Sequence, residues 1–129
     1  MTSVSKLFGQ IVLEAIDESL SVLGDEPRRA VYQYLATIQS LQREDIPEKL
    51  EDFSQGMKKA LGGASSVLQK VMLKKLFQKI GSTFKEAQEF DFVDYVKEAE
   101  RRYEVLSQHR TAQEDARTAM RSKKGQVSG

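Results

Sequence analysis

The chain has 129 residues, enough for one domain with an appended element. Hydrophobic residues make up 40% and charged residues 30%, which supplies a core and excludes disorder throughout. Cysteine is absent and His109 is the single histidine, so disulfides, thiolate nucleophiles and sulfur-ligated metals are excluded together.

The net charge of +1 hides an asymmetry. Residues 1–57 carry five Lys/Arg against ten Asp/Glu. Residues 58–85 carry seven lysines and no acid, and residues 86–129 carry eight basic and nine acidic side chains. The opening Met1-Thr2-Ser3-Val4-Ser5-Lys6 leads into a run interrupted by Glu14, Asp17 and Glu18, unlike a signal core. No stretch approaches the roughly 20 apolar residues of a membrane span. The expected location is the cytoplasm, with no membrane contact.

Apolar periodicity is helical nearly everywhere. A first helix is predicted from about Val4 to Leu23, with Phe8, Ile11, Val12, Ala15, Ile16, Leu20 and Leu23 at spacings of mostly three and four. Gly24 stops it in left-handed geometry, and Asp25 is read as the N-cap of the next helix, with Pro27 in its first turn. That second helix, about Glu26 to Leu41, turns Ala30, Val31, Tyr34, Leu35 and Ile38 to one side. Pro47 breaks the chain and starts a third helix carrying Leu50, Phe53, Met57 and Leu61, which ends at Gly62-Gly63. A fourth runs from about Ala64 to Ile80 and is closed by Gly81.

A fifth, long helix is predicted from about Phe90 to Arg121. Its seam of Phe92, Val96, Ala99, Tyr103 and Leu106 has the spacing of a coiled coil. The register continues on Arg110, Gln113, Arg117 and Met120, so the apolar seam fades after Leu106. The expected fold is all-α: a compact bundle of about four short helices over residues 1–81, a long amphipathic helix within 82–122, and a loose tail over 123–129.

One ordered set of residues resembles a known family. Asp17-Glu18-Ser19-Leu20, Leu23-Gly24 and Ala30-Val31-Tyr32 open it. Glu44-Asp45-Ile46-Pro47-Glu48 and Phe53-Ser54 follow, and Leu73-Lys74-Lys75-Leu76-Phe77 with Ile80-Gly81 close it. Over about residues 7–81 the chain resembles the archaeal nitrosopumilus output domain family, whose members are small helical domains found alone or attached to signalling and transcription-regulatory modules. The resemblance implies a signalling-output or interaction role and supplies no catalytic residues. The long helix after Gly81 and the lack of a fused sensor or receiver are departures from that pattern.

Chemistry finds few footholds. Asp45, Glu48, Glu51 and Asp52 lack the loop spacing and turn glycine of an EF-hand and read as a solvated helix start. No Gly-x-Ser-x-Gly elbow is present. Gly62-Gly63-Ala64-Ser65-Ser66 lacks the glycine spacing and Lys-Ser/Thr of a phosphate loop and reads as a turn with a serine cap. His109 lacks the lysine and small glycine that follow the histidine of phosphotransfer domains and reads as an exposed side chain. No catalytic, cofactor or metal site is expected, and the chain is read as a non-enzymatic protein.

Two surfaces remain. Lys58, Lys59, Lys70, Lys74, Lys75 and Lys79, with Lys85 beyond, offer a footprint for phosphates, although no arginine reads base edges and few aromatics stack bases. A solvated face, or one docked on the acidic first half, is the structural alternative. Leu68, Met72, Leu76 and Ile80 form the apolar row of that helix; Lys70 and Lys74 point away from it, and Lys75 and Lys79 flank it. The seam Phe92, Val96, Ala99, Tyr103 and Leu106 either packs on the chain's own bundle or pairs with a second copy or a partner helix. Met57, Met72 and Met120 read as gap-fillers. The functional expectation is a signalling-output or protein-interaction module, with a nucleic-acid-associated protein as the alternative.

Overall fold

The computed structural model describes residues 6–87 and 89–106. Among the described residues every regular element is helical and no strand occurs. α1 spans Lys6–Ser21 and buries Phe8, Val12, Ala15, Ile16 and Leu20, the face its spacing predicts. Gly24 follows with φ 105°, a conformation open to a residue without Cβ. α2 spans Asp25–Ile38. Its N-cap is Gly24 and not Asp25, which is the first helical residue; no side chain caps this end. Asp25 and Glu26 still lie in the first turn, at the positive end of the helix dipole.

The next element departs from the sequence reading. Pro47 does not begin the third α-helix but sits inside a 3₁₀ helix, Arg43–Glu48, and α3 runs from Leu50 to Leu61. A proline is tolerated in so short a turn because it forfeits only an N–H that has little helical use there. Ile46 and Pro47 are buried, and Pro47 packs on α1 at Gly9, where an added Cβ would lie 3.4 Å from the Pro47 Cβ. α3 ends at Gly62, with φ 59°, and α4 follows as Ala64–Lys79. The anticipated serine cap of α4 is absent: Gly63 holds the N-cap position without a side-chain bond. Ser65 turns inward to accept from Gln69 Nε2 at 3.2 Å, and Gln69 also donates to the Ser54 carbonyl at 3.4 Å. That network satisfies polar groups buried between α3 and α4.

α1 packs chiefly on α4, α3 on α4, and α2 on α1 and α3. Gly56 lets α2 and α3 approach closely, since a Cβ there would lie 2.4 Å from Leu35 Cδ2. A fifth helix, α5, covers residues 92–106 of the described chain. Its start is fixed by a reciprocal cap, in which Asp94 N–H donates to Asp91 Oδ1 at 2.9 Å and Asp91 N–H to Asp94 Oδ2 at 3.1 Å. Phe92, Val96 and Ala99 enter the same core as α1 to α4. The Phe92 ring stands 5.7 Å from that of Phe53, and Tyr103 stands 5.6 Å from Phe8. The core therefore continues across the boundary expected after Gly81.

The connection from α4 to α5 is pinned at both ends. Arg102 Nη1 donates to Ser82 Oγ at 2.9 Å and to the Thr83 carbonyl at 3.3 Å, with its guanidinium 5.4 Å from the Phe77 ring. The Tyr95 hydroxyl donates to the Ala87 carbonyl at 2.9 Å and accepts from the Ala87 N–H at 2.7 Å. His109, the register positions Arg110, Gln113, Arg117 and Met120, the helix predicted on to Arg121 and the tail over 123–129 lie outside the described residues.

Candidate functional site

Folding separates the seam into an inner and an outer part. Val96 and Ala99 are only 2% and 0% exposed and Phe92 is buried, so these three are occupied by the chain's own bundle. Tyr103 is half-buried against Phe8. Leu106, with its neighbour Val105, is exposed at the end of the described helix. Of the five seam residues, only Leu106 is left open to another molecule.

The lysines follow three separate courses. Lys58 and Lys59 occupy the last turn of α3, where positive charge complements the helix dipole. Lys70 and Lys74 are exposed on the outer side of α4, as their offset from the buried row of Leu68, Met72, Leu76 and Ile80 requires. Lys70 is paired with Glu86 of the connection at 2.5 Å, and the hydrogen bond and charge of Lys70 hold the Glu86 carboxyl below its usual range. Lys79 lies along α1, paired with Glu18 and 3.8 Å from Glu14, so part of the basic segment does dock on the acidic first half. Among the described residues Lys58, Lys59, Lys74 and Lys75 have no ion-pair partner.

A polar cluster of a kind the sequence did not announce joins three elements. Asp17 of α1 accepts from the Tyr32 hydroxyl of α2 and from the Arg43 guanidinium of the 3₁₀ helix, with Arg43 Nε at 3.3 Å. Burial pushes the Asp17 carboxyl up, but the hydrogen bonds from Arg43 and Tyr32 and the charges of Arg43 and Arg28 outweigh it, so the net shift is downward. Burial and the Asp17 carboxylate push the Tyr32 phenol up. The pair is thus held ionised and protonated respectively, which suits a tether better than proton transfer. Arg43 also lines a groove of about 410 Å³ with Lys6, Gln10, Leu13, Glu44 and Glu48. No nucleophile with a positioned base stands in it.

The surface that sequence reasoning missed is on α2. The five residues Ala30, Val31, Tyr34, Leu35 and Ile38 form two rows, and only Val31 and Leu35 are buried. The other row, Ala30, Tyr34 and Ile38 at spacings of four, faces outward together with Pro27. Tyr34 is half-buried, Ile38 is 60% exposed, and Val22 in the preceding turn is 75% exposed, with Leu23 beside it. The signal was available: adjacent pairs such as Ala30-Val31 and Tyr34-Leu35 lie 100° apart on a helix, too wide for one groove. An apolar strip with a polar border is the chemistry of a helix-binding surface.

Among the described residues no group of three or more His, Cys, Asp or Glu is placed to hold a metal ion, and no helix is long and apolar enough to cross a membrane. Comparison of the chain with protein-family models, curated proteins and solved structures finds no match.

Proposed function

We propose that this chain is a non-enzymatic protein-interaction module that works through the outer face of α2. The observation that carries the reading is the second apolar row of α2, with Pro27, Ala30, Tyr34 and Ile38 on a 14-residue helix that buries only Val31 and Leu35. A helix kept to close only its own bundle has no use for a second apolar row, and exposed apolar strips of this kind mark interaction sites. The tether of Tyr32 and Arg43 on Asp17 fixes the presentation of that face. Leu106 and Val105 at the end of α5, where the helix read from the sequence continues toward Arg121, form a second contact element in this proposal.

The resemblance to output domains supports a signalling role, and the cytoplasm is the place proposed for it. The nucleic-acid alternative rests on the lysine segment 58–85, in which Lys58, Lys59, Lys74, Lys75 and Lys85 have no ion-pair partner among the described residues.

A photo-reactive amino acid placed at Ile38 tests the reading in cells that express the protein. Discrete protein adducts at position 38, and none from the equally exposed Val67 of α4, are expected. Equal labelling at both positions, or none at either, rejects it.

A further inference from the structure

We draw no further inference here: the strongest candidate, the apolar strip of Pro27, Ala30, Tyr34 and Ile38 along the outer face of α2, is already the surface of the proposed function, and nothing in the structure shows what covers it.

Discussion

α4 and α2 carry comparable shares of apolar residues, yet the bundle treats them differently. α4 buries Ser65, Leu68, Gln69, Met72, Leu73, Leu76 and Phe77, because α1, α3 and α5 all pack on it. α2 packs chiefly on α1 and α3 and buries two side chains. The difference teaches that the width of an apolar arc sets what a helix can bury, while its place in the bundle sets what it does bury. A central helix spends the whole arc on the core. A marginal one keeps part of it for solvent or for a partner.

The largest expected effect is at the centre. Phe77 is buried, with the Phe84 ring 5.6 Å away and the Arg102 guanidinium over its face. Phe77→Ala is expected to cost about 3–5 kcal/mol, read from urea unfolding, since it removes a core ring and loosens the attachment of α5. A loss near 1 kcal/mol would place α4 on the same footing as α2 and break the comparison. Next comes the seat of α2. Gly56→Ala drives a Cβ into Leu35, one of the two buried side chains of that helix, and about 1–3 kcal/mol of destabilisation is expected. An unaffected midpoint would show that α2 shifts freely on α3.

The tether sharpens the comparison through pH. Folding lowers the Asp17 carboxyl from its ordinary 3.8, so its contribution is fully present above that value and is lost as the pH falls through the folded-state value. Asp17→Asn is expected to be less stable by about 1 kcal/mol at neutral pH, charged hydrogen bonds being discounted for solvent screening at a partly exposed site. Urea melts of both proteins should converge as the pH is taken down through the folded-state value of Asp17, below 3.8. A gap that persists in acid would assign the loss to packing instead of charge.

The sequence was informative where one physical rule dominated. Apolar spacing and the stops at Gly24, Gly62 and Gly81, all with positive φ, placed α1, α3 and α4 to within a few residues. It was less informative where tertiary contact decides. Pro47 reads as a helix start, but the room left by Gly9 makes it a buried 3₁₀ residue, and nothing local to Pro47 records that partner. Asp17, Tyr32 and Arg43 stand 15 and 26 residues apart, and only folding brings them to one carboxylate. The seam of α5 was legible as a pattern; that its inner half belongs to this chain's own core depends on Phe53 and Phe8 waiting for it. The lysine run likewise reads as one cluster along the chain, yet Lys79 turns to Glu18 and Lys70 to Glu86.

The smallest expected effect is the most discriminating. Ile38→Gln exchanges a 60% exposed apolar side chain for a better helix former of similar length, without adding charge near a helix C-terminus. Its stability in the monomer is expected to stay within about 0.5 kcal/mol of the parent, as for other surface substitutions. The same exchange at Leu35, three residues away but 1% exposed, buries an amide and is expected to cost more than about 2 kcal/mol. If Ile38→Gln cost as much as Leu35→Gln, the outer row of α2 would be part of this chain's own packing, and no strip would be left for a partner. If the two separate as expected, then Ile38 contributes little to folding, and what it does must be sought in contact with another molecule.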